Sequence, residues 1–213
     1  MILRKIFMLL FLVFHMFLSG CISETSNFNL VIKRNNDSLI KEIPNNYGNS
    51  YYIHAFYNLP QVIKIENLEN GSISPQIRIW HKETFKDSIN LLSIKKLNNK
   101  WTAEIGYIQL GHNNEHDSII SITPHLVFKE PKSGWSNLIL RINKSNFLKL
   151  PDFHSIDNYH LHLDGEVVTV EISDKGYYRV ISYPQPTTRN INEARKLIEM
   201  INYFEEEFNY KIL

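Results

Sequence analysis

The sequence predicts an α+β fold: a mainly antiparallel sheet with a short middle helix and a C-terminal amphipathic helix packed on it. Three observations lead there. Short segments with period-two alternation, or rich in β-branched and aromatic residues, recur from residue 28 to residue 183 between Asn, Gly and Pro clusters. Two stretches, near residue 135 and after residue 190, carry apolar residues at spacings of three and four instead. At 213 residues, 43% hydrophobic and 21% charged, the chain can bury a core and has the length of one compact domain.

Taken in chain order, Phe28 to Arg34 alternates through Phe28, Leu30 and Ile32 and predicts the first strand. Tyr51 to Tyr57, Gln61 to Glu66, Gln76 to Lys82 and Ile89 to Leu97 follow as strands, with Asn-Gly turn signals around Asn45–Asn49 and Glu69–Gly71. After the Asn98-Asn99 turn, Lys100 to Leu110 sets Trp101, Ala103, Ile105 and Tyr107 on one face and Thr102 and Glu104 on the other. Ser118 to Lys129 is the next strand. From Gly134, the spacing Trp135, Leu138, Ile139, Ile142 predicts a short helix capped by Ser133 and ended by Leu150-Pro151-Asp152. Strands resume at Tyr159 to Leu163, Val167 to Ile172 and Tyr177 to Tyr183, the last two joined through Ser173–Gly176 as a hairpin. Asn190, with Glu193 three residues on, predicts a capping box for the last helix. Its stripe is Ala194, Leu197, Ile198, Ile201, Phe204 and Phe208, and the run Glu205 to Glu207 is read as a solvated face.

The amino terminus has its own logic. Met1 to Lys5 is a short basic head, Ile6 to Leu18 is almost uninterruptedly apolar, and Ser19-Gly20 precede the chain's one cysteine. These are the three regions of a secretory signal peptide, and the apolar run is shorter than the ~20 residues that span a bilayer as a helix. Leu18-Ser19-Gly20-Cys21 resembles the lipobox of bacterial lipoproteins. The resemblance implies a diacylglyceryl thioether on Cys21, removal of residues 1–20 and acylation of the new terminus, with acyl chains such as palmitate. It divides the chain into a signal peptide (1–20), a lipidated polar tether (21–27) and a single α+β domain (28–213). It implies attachment to the cell envelope, and Ile22, where retained family members carry aspartate, points to the outer membrane. The second half of the chain is also similar to a pattern found in uncharacterised bacterial lipoproteins. That pattern runs through Leu150-Pro151-Asp152, Asp164-Gly165, Tyr178-Arg179, Tyr183-x-x-Pro186 and the final helix, and carries no activity to transfer.

Composition removes several chemistries. With 23 Lys and Arg against 22 Asp and Glu there is no bulk positive field, so nucleic acid is not an expected partner. Loss of Arg4 and Lys5 with the leader takes the formal charge from +1 to −1. A single, capped cysteine leaves no disulfide and no thiolate catalysis, and no Gly-rich phosphate loop is present, so no cofactor is expected. His112-Asn113-Asn114-Glu115-His116 matches the inverted zinc-peptidase pattern H-x-x-E-H, which needs both histidines on one helical face. Gly111 and the Asn pair argue for a loop over 111–117 instead. On a strand, His160, His162 and Asp164 share one face at steps of about 7 Å and could bind zinc or another borderline metal, with His154 as a fourth ligand. The cluster resembles the first part of the H-x-H-x-D-H motif of metallo-hydrolases, with Gly165 where the last histidine belongs. The competing reading is a solvent-facing strand side ending in an Asp-Gly turn. The expected function is therefore a lipid-anchored, non-catalytic envelope module that binds a partner protein or envelope glycan. The alternative is a metal-assisted hydrolase built on His160, His162, Asp164 and His154.

Overall fold

A computed structural model describes residues 39–45, 52, 58–112, 119–159 and 165–213. Seven strands form one sheet in the order β1-β7-β6-β2-β3-β4-β5. They are β1 Ile40–Glu42, β2 Gln76–Glu83, β3 Ser88–Leu97, β4 Lys100–His112, β5 Ile119–Lys129, β6 Glu166–Asp174 and β7 Tyr177–Pro184. Among the described residues, only the β1–β7 pair is parallel. Three α-helices accompany them among the described residues: α1 Leu59–Val62, α2 Trp135–Lys144 and α3 Asn192–Phe208. The architecture is α+β with a mostly antiparallel sheet, as the alternation predicts.

Local chemistry sets the turns. Asn98 and Asn99, both left-handed (φ 49° and 63°), close the β3–β4 hairpin as a two-residue loop whose twist matches the strands. Gly176 (φ 75°) closes the β6–β7 hairpin, and the Asp174 carboxylate accepts from Lys175 N at 2.7 Å.

The sheet is covered on both faces, which explains why β2 is buried along most of its length. One face carries Ile77, Ile79, Leu92, Ile94, Val170 and Ile172, packed with Leu138, Ile139 and Ile142 of α2 and Leu197, Ile201 and Phe204 of α3. The other face carries Trp80, Ile89 and Leu91 with Leu59 of α1, and Tyr178 and Val180 with Tyr52 and Leu68. That second face also buries a polar layer: Gln76, Arg78, Ser93, Thr169, Glu171, Ser173 and Ser182.

Several expectations are corrected. Residues 61–66 are not a strand, because Pro60 starts α1 and Lys64 turns with φ 61°. Gly134 (φ 81°), not Ser133, is the N-cap of α2; the Ser133 backbone N–H is taken by the Glu207 carboxylate at 2.8 Å. The helix ends at Ser145, before a 3-10 turn at Asn146–Lys149, and so well short of Pro151. Helix α3 starts one residue later than a cap at Asn190 predicts, with Ile191 as N-cap and no side-chain cap. Ile198 is half-buried and Met200 takes its place in the stripe. Nor is the acidic run one solvated face: Glu207 is 8% exposed, and Glu205 accepts from Ile212 N and Leu213 N, each at 2.7 Å, so that Glu206 alone is fully outward. In β4 the alternation holds through Ile105, after which Tyr107 is exposed and Ile108 and Leu110 pack on the opposite face. Tyr159 is not in a strand. The expected strands at 28–34 and 51–57 lie outside the described residues, Tyr52 excepted.

Candidate functional site

Of the proposed metal ligands, His154 lies among the described residues, whereas His160, His162 and Asp164 lie outside them, as does Cys21. His154 sits in a 3-10 turn, Phe153–Ser155, capped by the Asp152 side chain, which accepts from His154 N at 3.0 Å. The same carboxylate oxygen meets His154 Nδ1 at 2.7 Å. The other oxygen accepts from Tyr52 OH and from Ser182 N, each at 2.8 Å. Ser182 lies on β7 beyond the three residues that pair with β1, so its outward N–H needs an acceptor, and Asp152 supplies it.

This arrangement constrains the imidazole. With Nδ1 engaged by Asp152, the ring is fixed between Phe153 (centroids 3.7 Å apart) and Tyr52 (6.3 Å, stacked), and Nε2 has no partner among the described residues. Burial, and then the charge and hydrogen bond of Asp152, push the Tyr52 phenol far above its ordinary value, so it remains a donor. No group of three His, Cys, Asp or Glu poised for a metal occurs among the described residues.

A second acid–imidazole contact joins His81 and Glu166, with Nε2 and Oε2 3.2 Å apart. Burial raises the Glu166 pKa, but hydrogen bonds from His81 and from Thr187 side chain and backbone outweigh it, holding the carboxyl below the ordinary range. His112, the first residue of H-x-x-E-H, ends β4 instead of lying in a loop or helix, and its Nε2 is 3.4 Å from Asp87 Oδ1. The rest of that motif lies outside the described residues.

The exposed end of the sheet is the remaining feature. Among the described residues β5 pairs with β4 alone, and most of its side chains are open to solvent. Alternation sends Val127 (52% exposed) to one side and Phe128 (72%) to the other, with Ile120 (68%) further along the strand. Beside Val127, Tyr107 of β4 stacks on His125 at 4.7 Å. Sequence reasoning named His154 but missed Asp152 and Tyr52, 100 residues apart; an aspartate two residues before a histidine was the one local signal. No family model, curated protein or solved structure matches the chain. No helix among the described residues is long and apolar enough to cross a membrane.

Proposed function

We propose that this chain is a lipid-anchored cell-envelope protein whose α+β domain is a non-catalytic binding module, contacting a partner protein or envelope glycan through the open end of its sheet. The anchor rests on Leu18-Ser19-Gly20-Cys21: two or more acyl chains on residue 21 hold a protein stably at a bilayer where one does not. Residues 22–27 act as the tether, residues 28–213 as one domain, and the outer membrane is the preferred address. Helix α3 is read as the amphipathic element laid across the sheet, a reading supported by its buried Leu197, Ile201 and Phe204 and its outward Glu199, Asn202 and Glu206.

The observation that carries the binding role is β5. Exposed apolar side chains on both sides of an edge strand, beside backbone groups open to pairing, are what a second polypeptide uses to add to a sheet. Two measurements test the proposal. Cys21→Ala is expected to stay uncleaved and unlabelled by fatty acid; labelling would refute the anchor. A photo-reactive residue at position 128 is expected to give a discrete adduct in the envelope, unlike one at the exposed turn residue Phe85; no adduct at 128 on anchored protein would refute the module.

A metal-assisted hydrolase using His160, His162, Asp164 and His154 is the second reading. It is favoured by the Asp152–His154 pair, since a carboxylate on one imidazole nitrogen orients the other toward zinc in many metal sites. Stoichiometric zinc, lost on His162→Ala, would replace the binding role with this one; a metal-free protein removes it.

A further inference from the structure

We propose that the cavity in front of Arg78 is a binding site for a small aliphatic carboxylate, a reading that rests on neither the anchor nor the proposed β5 contact. Arg78 is the third residue of the central strand β2, on the face away from α2 and α3, with Ser93 of β3 and Glu171 of β6 as its lateral neighbours. It is 2% exposed. A guanidinium has five N–H donors and no acceptor, so a buried one needs several oxygen partners. This one has a single long contact, Nη2 to Gln76 Oε1 at 3.4 Å, while Nε and Nη1 have none.

The natural partner does not fill the gap. Glu171 Oε2 stands 4.0 Å from Nη1, beyond hydrogen-bond reach, because its oxygens are already held by Trp80 Nε1 at 2.7 Å and Tyr178 OH at 3.1 Å. Burial pulls the Arg78 pKa down, and the carboxylates of Glu171 and Glu66 pull it back up. The group stays charged, and leaving its donors unmet is among the more costly arrangements a protein interior contains.

Arg78 borders a cavity of about 200 Å³, enough for a ligand of a few heavy atoms beyond the water that would otherwise occupy it. The charge around it selects the ligand. Lys64, Arg78 and Lys95 line the cavity together with Glu66 and Glu104, but Lys95 is already engaged by Glu104 at 3.3 Å and Glu66 by Gln76. What is unfilled is one set of guanidinium donors, partly offset by Glu171 behind it. A single negative charge fits; a dianion such as phosphate would meet Glu66 and Glu104 at close range. Leu91 and Leu126 give the wall an apolar strip for a short stem. The carboxylate then accepts from Arg78 and the stem lies on the two leucines.

The test is a ligand-observed NMR titration of sodium butyrate into the purified, lipidated full chain, with empty detergent micelles as the blank and inorganic phosphate at matched ionic strength as the comparison. Butyrate is expected to bind saturably in the millimolar range, and phosphate far more weakly. Arg78→Met, which keeps the stem and removes the donors, is expected to weaken butyrate at least about tenfold, the scale of a lost charge-assisted hydrogen bond. Because β2 is central and that variant is at risk of misfolding, Leu126→Trp on the half-exposed edge strand is the companion: it adds bulk to the cavity wall and leaves Arg78 in place, and the same loss is expected. No saturable binding to the folded wild type, phosphate binding as tight as butyrate, or unchanged affinity in Leu126→Trp would each overturn the proposal.

Discussion

Asp152 gathers four contacts on one carboxylate, from three parts of the chain: Tyr52 OH, Ser182 N and both nitrogens that His154 presents to it. Such a residue acts as a structural hub whatever else it does, because removing it takes from Tyr52 OH and Ser182 N the charged acceptor that they share. Each lost hydrogen bond to a charged acceptor costs about 1–3 kcal/mol, so Asp152→Ala is expected to lower stability by about 2–5 kcal/mol, measured as a shift of the urea midpoint at constant slope. Asp152→Asn is expected to fall between wild type and alanine. Whichever way the amide turns, its NH₂ faces a donor, either His154 N on one side or Tyr52 OH and Ser182 N on the other. A loss under about 1 kcal/mol in the alanine variant would mean that water replaces the carboxylate and that the cluster is not a fixed support for His154.

At the scale of the element, Gly106 makes the outer end of the sheet possible. A Cβ there would stand 2.0 Å from the His125 carbonyl oxygen of β5, a backbone atom that cannot rotate away. Gly106→Ala therefore has to push β5 off β4, at a cost of about 1–3 kcal/mol or more. Because β5 is an edge strand, the damage is expected to be local: in hydrogen exchange, β5 amides lose protection while those of β2, β3 and β6 keep it. Retained protection in β5 would contradict this. The strands themselves were legible because each long one alternates; β2 to β7 and both longer helices fall close to where period and spacing put them. The second covering layer was not. Alternation in Gln76 to Lys82 and Val167 to Ile172 sends Arg78 and Glu171 to a face that reads as solvent. The structure buries that face under Leu59, Leu68 and Tyr52, from a stretch whose residues predict strands at 51–57 and 61–66 and not a cover for the sheet. The same limit hid the site. Tyr52 and Ser182 meet Asp152 from distant parts of the chain, and Pro60 turned an expected strand into the short helix that covers Trp80.

For the whole molecule, ionisable groups that tie elements together set the range of pH over which the fold holds. Glu166 links the start of β6 to His81 of β2 and to Thr187 after β7, and Glu205 ties the C-terminal residues back onto α3 through Ile212 N, Leu213 N and Lys211. For Glu205, as for Glu166, burial raises the pKa but the hydrogen bonds, from Lys211 and the two backbone N–H groups, outweigh it and leave it lowered. A folded-state pKa below the unfolded one means that the charged form is favoured by folding. The stabilisation is therefore complete above the ordinary glutamate range and is lost as pH falls through the folded value. Buried phenols act in the opposite direction. Burial raises Tyr52, Tyr159, Tyr177 and Tyr183, so their contribution is present at neutral pH and is lost once unfolded tyrosines can ionise, above about pH 10. Thermal unfolding followed by circular dichroism is expected to give a Tm that is level near neutrality and falls on both sides, starting below about pH 4.5 on the acid side. The double variant Glu166→Gln, Glu205→Gln is expected to lower Tm at pH 7 and to flatten the acid limb, since these two tethers no longer titrate. An acid limb as steep as that of wild type would assign the loss to other carboxylates and sever the link between these two groups and the acid limit of the fold.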